Sequence, residues 1–314
     1  MPPILEVQDL VKKYGDLAAV KGISFEIREG EVFSLLGPNG AGKTTTISVL
    51  STLFAPTSGD AIVGGHSVTK EPMAVRRLIG VVPQDLAIYD ELTASENLSF
   101  WGQMYGLSGK VLKARIAEVL DQIGLTERAK DRVKTYSGGM KRRVNIGVGL
   151  LHQPRLLFMD EPTVGIDPQS RRAILDSVKN LNQQGMTVLY TTHYMEEAQE
   201  LSDRVGIIDH GELIALGTQA QLTREVGEND TLVLHLTEGD DGAALADAAR
   251  QLPGVLHADV TDHAVTVIAP EAEEVLAPAV TAANEVGVKI RSVHIQEPNL
   301  EAVFLHLTGR ALRD

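Results

Sequence analysis

The chain contains no cysteine. That excludes disulfide frameworks, thiolate metal sites and thiol nucleophiles, and it fits a reducing compartment. Nowhere do about 18 apolar residues run uninterrupted, so no segment is expected to span a bilayer and a protein soluble by itself is expected. The opening Met1-Pro2-Pro3-Ile4-Leu5-Glu6 lacks a basic stretch followed by an apolar run, so no secretory signal is expected. A basic stripe is missing too: with 42 acidic against 29 basic residues the net charge is −13, which disfavours nucleic acid and anionic lipid as partners. No repeat or low-complexity tract is visible. Eight of the nine histidines (His66, His152, His210, His235, His257, His263, His294 and His306) show no metal-ligand spacing and read as surface or loop residues.

What is present suffices for one large domain and a smaller one: 314 residues with an apolar share of 43%. The acid is concentrated late. From Glu228 to Asp314 there are 15 acidic and 5 basic residues, against 27 and 24 before them, which suggests two modules. Up to about Leu216, short β-rich runs alternate with helical stretches, the pattern of an α/β fold with helices packed on a sheet. The runs at 31–36, 79–82, 156–159 and 187–190 read as core strands, and 205–214 as a hairpin turning at His210-Gly211. Between Asp90 and Leu151 the period becomes helical, with Leu112, Ile116, Val119, Leu120 and Ile123 on one face. Trp101, beside Phe100, reads as core rather than partner-facing. Beyond residue 228, strands near 231–236, 255–260, 265–268 and 290–295 alternate with helices. The last helix carries Leu300, Val303, Phe304 and Leu307 on one face, with Pro298 near its start and Gly309 after its end.

Three stretches carry chemistry. Gly37-Pro38-Asn39-Gly40-Ala41-Gly42-Lys43-Thr44 matches the phosphate-binding pattern G-x-x-x-x-G-K-[ST], after a strand and before the helix bearing Ile47 and Leu50. Glycines allow successive N–H groups to turn inward around phosphate oxygens at the positive end of a helix. Lys43 reaches the β- and γ-phosphates, Thr44 ligates Mg²⁺, and Thr45 follows in the same nucleotide-binding run. Leu156-Leu157-Phe158-Met159 is an apolar strand ending in Asp160-Glu161. Alone that is an ordinary strand terminus; behind such a loop, Asp160 reads as the Mg²⁺ carboxylate and Glu161 as the group that orients or deprotonates a water. Between them lies Tyr136-Ser137-Gly138-Gly139-Met140, by itself an ordinary turn.

With these stretches in this order, residues 4 to 217 resemble the ATPase of ABC transporters. Tyr14 resembles its adenine-stacking aromatic, Gln84 its Q-loop glutamine, Val164-Gly165-Ile166-Asp167 its D-loop and His193 its switch histidine. The resemblance implies an α/β P-loop ABC ATPase domain over residues 1–227, a RecA-like core with a helical subdomain at about 86–152. An accessory α+β domain over 228–314 follows. It also implies that Glu161, His193, Gln84 and Lys43 act in catalysis, that Gln84 joins Thr44 and Asp160 at Mg²⁺, and that Ser137, Gly138 and Gly139 of one copy close on ATP held by another. The copies form a homodimer or paired ATPase, working through separate membrane permease subunits and touching the membrane only through them, on the inner face of the cell membrane.

The pattern departs from the family where Tyr136 replaces leucine, Met140 glutamine, and Val164 and Ile166 the commoner serine and leucine; none of these is needed for phosphate chemistry. The Tyr-Ser-Gly-Gly-Met form followed by Lys141-Arg142-Arg143, and the tail from Glu297 to Gly309, resemble the daunorubicin-resistance type of exporter ATPase. That branch drives drugs, lipids or similar amphiphiles outward through ABC-2-type subunits. The alternative is a soluble ABC ATPase acting on nucleic acid or ribosomes. A single cassette, no long coiled-coil insert and the acidic balance count against it. Glu161 and His193 together count against a mere nucleotide sensor.

Overall fold

The computed structural model describes residues 3–226, 229–237, 242–261, 264–296 and 299–308. Contacts divide these into two compact units, one up to Thr218 and one from Gln219 onward.

In the first unit, strands β1 (Pro3–Tyr14) and β2 (Leu17–Arg28) form a long antiparallel pair. Beyond β3 (Val32–Leu36) and helix α1 (Lys43–Leu50), strands β4 (Ser58–Val63) and β5 (His66–Ser67) join that pair in the order β2-β1-β4-β5. Helix α2 (Pro72–Leu78) and β6 (Ile79–Val82) lead to three helices, α3 (Ala94–Met104), α4 (Gly109–Gln122) and α5 (Gly138–Leu150). The chain then alternates through β7 (Leu156–Asp160), α6 (Pro168–Gln183), β8 (Thr187–Thr192), α7 (Met195–Leu201), β9 (Arg204–Asp209) and β10 (Glu212–Gly217).

The second sheet has the order β10-β9-β3-β8-β7-β6, parallel except for the β9–β10 hairpin. Every residue of β3, β7 and β8 is buried, as strands covered on both faces must be, and this explains why they are mainly apolar without alternation. In a parallel sheet the carboxyl ends of the strands share one edge, where ligands bind. That edge carries Leu36 before the glycine loop, Asp160 before Glu161, and Thr192 before His193.

The helical stretch begins with a reciprocal cap: Glu96 N–H donates to Thr93 Oγ1 (3.1 Å) and Thr93 N–H to Glu96 Oε2 (2.8 Å), fixing the first turn of α3. Helix α4 buries Leu112, Val119 and Leu120, with Ile116 half-buried against the same core, as the periodicity predicts. Trp101 is half-buried against that core too.

The second unit starts with α8 (Gln219–Val226), followed by β11 (Asp230–Leu236), α9 (Gly242–Ala249), β12 (His257–Thr261), β13 (Ala264–Ala269), α10 (Ala272–Glu285), β14 (Ile290–Gln296) and α11 (Leu300–Thr308). Its four antiparallel strands take the order β12-β13-β11-β14, the split β-α-β arrangement, with Leu232, Leu234, Val265 and Val267 buried under Leu245 and Ala279 of the helices. The observed division falls earlier than the acidic step at 227, because α8, with Leu222 fully buried, packs on α11. On α11, Leu300, Val303 and Phe304 are buried while Leu307 is 38% exposed. Pro298, Gly309 and His263 lie outside the described residues.

Candidate functional site

The glycine loop bridges β3 and α1. Gly42 sits at φ +109°, and a β-carbon there would meet the Ala19 carbonyl oxygen at 2.6 Å, so only glycine turns the chain into α1 at this point. Backbone bonds hold the loop from two sides: Gly37 N–H donates to the Thr192 carbonyl at the end of β8 (3.2 Å), and Gly211 N–H of the β9–β10 turn donates to the Ala41 carbonyl (2.9 Å). Lys43, 3% exposed, folds back into the loop. Its ammonium donates to the Gly37 and Pro38 carbonyls at 2.6 and 2.9 Å and lies 2.9 Å from Glu161 Oε1.

The carboxylates emerge from β7 directly opposite. Asp160 accepts from Thr44 Oγ1 (3.2 Å) and Thr191 Oγ1 (2.7 Å) on a single oxygen, Oδ1. Burial pushes its carboxyl above the usual range, an effect that the two hydroxyls oppose. Glu161 is 6% exposed and adopts φ +43°, a left-handed conformation rare for a side-chain-bearing residue. Its N–H donates to Thr191 Oγ1 (3.0 Å), which holds that turn against β8. Glu161 Oε2 lies 3.4 Å from His193 Nδ1, a buried atom that makes no hydrogen bond of its own.

Asn39, Gly40, Gly42, Lys43, Thr44, Thr45, Gln84 and Glu161, with Ala19, line a cleft of about 200 Å³. Ser137, Gly138, Gly139 and Tyr14 are not among its lining residues. A larger cavity of about 880 Å³ lies by α2, α3 and α4, lined by Met73, Arg76, Met104, Tyr105, Val111 and His152. It includes no part of the glycine loop and neither of the carboxylates at the end of β7, so the smaller cleft is the candidate site.

Gln84 is exposed, on the segment after β6. Arg142 of α5, 4% exposed, donates to the Pro83 and Gln84 carbonyls at 2.9 and 2.7 Å, and Asn145 Nδ2 donates to the Pro83 carbonyl at 3.3 Å. Helix α5 starts at Ser137, whose hydroxyl accepts from Met140 N–H (3.3 Å). The Gln84 segment is therefore tied to the helix whose first turn carries Ser137, Gly138 and Gly139. Ser137 and Gly138 are exposed, but Gly139 is buried, and a β-carbon there would meet Ser170 Cβ of α6 at 2.2 Å. That glycine is required inside the chain, whatever it contacts beyond it. Tyr14 is 44% exposed at the end of β1, edge-on to Phe54 (6.1 Å between centroids), with Lys12 Nζ 5.1 Å from its ring. In the 164–167 turn, Asp167 caps α6 by accepting from Ser170 N–H (2.9 Å).

Thr191 and Asn145 escape the sequence reading, and Arg142 enters it only within the basic run after the Ser137-Gly138-Gly139 stretch. Their only local signals are a threonine pair ending a strand and polar residues on an apolar helix.

Because Asp160 is held with its carboxyl raised, its ionised form costs stability once pH exceeds its unfolded value. Asp160→Asn keeps Oδ1 as an acceptor for both hydroxyls and removes that cost. At neutral pH and without nucleotide its unfolding midpoint is expected to rise. A fall in that midpoint, read by calorimetry, sinks this account.

A family model described as ABC transporter matches residues 20–164. The linearmycin resistance ATP-binding protein of Bacillus subtilis (strain 168) is 52% identical over 315 residues, covering 99% of this chain and 100% of its own. The doxorubicin resistance ATP-binding protein of Mycobacterium tuberculosis (strain CDC 1551 / Oshkosh) is 42% identical, covering 94% and 89%. Among solved structures, an ATP-binding cassette determined as a dimer in a post-hydrolysis state with ADP and Pi superposes with TM-score 0.61 at 28% identity, over 68% of this chain and 98% of its own.

Proposed function

Because this chain belongs to the ABC transporter family of ATP-binding proteins, we propose that it hydrolyses ATP as one of a pair of ATPase subunits and so powers export of a drug or similar amphiphile through separate permease subunits. One observation carries the reading: the loop cation Lys43 and the acid Glu161 meet at 2.9 Å over a cleft that also holds Thr44 and Gln84.

Incoming phosphates compete with Glu161 for the Lys43 ammonium and accept from the loop N–H groups. Glu161, released from Lys43, is then the acceptor for a proton from the attacking water, and His193, whose Nδ1 lies 3.4 Å from Glu161 Oε2, is the side chain assigned to the γ-phosphate. The residues present suit Mg²⁺. Thr44 Oγ1 and Asp160 Oδ1 are hard oxygen donors 3.2 Å apart, and the Gln84 amide lines the same cleft. When bound, Mg²⁺ supplies charge neutralisation at the phosphate oxygens.

Ser137 and Gly138 are exposed and do not line their own chain's cleft, which supports their acting on nucleotide held by a second copy. Among the described residues no helix is long and apolar enough to cross a membrane. A separate membrane-embedded partner then carries the cargo, and the chain works from the inner face of the cell membrane. The cargo class follows the drug-resistance names of its relatives.

The test is expression together with candidate ABC-2-type permease subunits. The chain is expected to co-purify with them from membranes and to hydrolyse ATP only with Mg²⁺. Recovery with ribosomes or nucleic acid instead, or no turnover in the membrane complex, refutes the proposal.

A further inference from the structure

Glu197, in the first turn of α7, takes no part in the steps above, yet it is only 2% exposed. A buried carboxylate is tolerated only when donors satisfy its oxygens. Here Oε1 accepts from Thr163 Oγ1 (2.6 Å), and Oε2 accepts from Tyr190 OH (2.9 Å) and Thr192 Oγ1 (2.8 Å). Arg171 Nε of α6 lies 3.6 Å from Oε1. Thr192 Oγ1 also accepts from Tyr194 N–H (2.9 Å) while donating its single proton to Glu197.

The donors sit on the segments that carry the reacting groups. Thr163 stands two residues after Glu161, in the turn that runs to Asp167. Tyr190 and Thr192 flank Thr191, whose hydroxyl serves both Asp160 and Glu161. Thr192 immediately precedes His193, and its carbonyl accepts from Gly37 N–H at the head of the glycine loop. Tyr194 packs on the His193 ring at 4.2 Å, and the Arg171 guanidinium lies 4.2 Å from the Tyr194 ring. One carboxylate therefore joins the turn of the acid, the neck of the histidine and, through Thr192, the start of the phosphate loop.

We propose that Glu197 is a positioning residue for ATP hydrolysis, locking the Glu161–Asp167 turn to the segment that carries His193; this rests on the roles given above to Glu161 and His193. It touches none of the reacting groups, so its loss misplaces them without removing a phosphate contact. A displacement of about 1 Å at such a centre costs up to about 100-fold in rate.

The test uses the full chain in its membrane complex, with Thr163→Val, Thr163→Ser, Glu197→Gln and the Thr163→Val/Glu197→Gln double variant beside the wild type. Thr163→Val and Glu197→Gln are each expected to lower kcat roughly tenfold while KM for ATP stays within about twofold, the pattern of lost transition-state alignment. Thr163→Ser, which keeps the hydroxyl, is expected to restore kcat. The double variant is expected to be little worse than Glu197→Gln alone, since the Thr163 hydroxyl acts only through that carboxylate. Melting curves for each variant separate misplacement from unfolding; should Glu197→Gln fail to fold, the valine–serine pair at 163 decides. A near-wild-type kcat for a folded Thr163→Val overturns the proposal. So does a serine variant as impaired as the valine one, or a loss confined to KM. If the wild-type complex itself does not turn over, the reading of the site has failed rather than this one.

Discussion

Glu161→Gln is expected to lower ATP turnover by about 1,000-fold or more while ATP binding persists, the upper range for removal of a general base with a well-positioned water. The substitution is nearly isosteric, and glutamine meets the same backbone demand at φ +43°, so the turn is not selectively strained. Its amide cannot take the water's proton. It also loses the charge that pairs with the Lys43 ammonium at 2.9 Å, which removes the acid that competes with phosphate for that cation. Binding is therefore expected to tighten as hydrolysis stops. In the paired assembly this holds the two subunits together: size exclusion with ATP and Mg²⁺ should show a stable dimer for the variant, absent for wild type under turnover. Retention of more than a few per cent of wild-type activity rules out Glu161 as the base.

The residues whose convergence is readable from the chain are those whose spacing is local. Gly37 to Thr44 form one loop, and the order strand, loop, helix is enough to predict where Lys43 points. The same holds for Asp160 and Glu161 at the end of an unbroken apolar strand. What is not local is lost. Thr191 reaches Asp160 across 31 residues, Arg142 reaches Gln84 across 58, and Thr163 reaches Glu197 across 34; each is a contact between strand ends or helices that no periodicity encodes. The left-handed turn at Glu161 is likewise a tertiary effect, held by β8.

The antiparallel sheet is lost for a different reason. Register shifts between Val7 and Leu10 and between Lys12 and Lys13 break the two-residue alternation of β1, so it does not read as one half-buried strand. His152, read as a surface or loop residue, does lie in the loop after α5. It is nevertheless half-buried: it stacks on Tyr105 at 4.1 Å and contacts the Ile79 carbonyl at 2.7 Å, and burial holds its imidazole below the ordinary range. The acidic step marks a change of composition, whereas the structural division follows the packing of Leu222, which has no charge signature.

Lys43→Ala and Ser137→Arg are expected to fail in different ways, and that contrast tests whether each nucleotide is held by two chains. Lys43 is buried and makes the charge-assisted contacts of the loop, so its removal deletes a phosphate ligand and leaves Glu161 buried without its cation. ATP affinity of the isolated chain should fall by roughly 30- to 100-fold, the value of one or two hydrogen bonds to a charged group. Lys43→Met, which fills the space without the charge, should lose as much; if it binds like wild type, packing and not charge was the cause. Ser137 is exposed at the start of α5 and absent from the lining of its own chain's cleft. Its replacement costs a helix cap, about 1 kcal/mol, and places a long cation where a second copy would close. Nucleotide affinity of the isolated chain should stay within about twofold of wild type, while turnover and ATP-dependent dimer formation fall together. Equilibrium titration with a fluorescent ATP analogue separates the two. If Ser137→Arg weakened binding to the isolated chain as much as Lys43→Ala does, both residues would belong to one chain's cleft, and the assignment of Ser137 to a partner's nucleotide would have to be withdrawn.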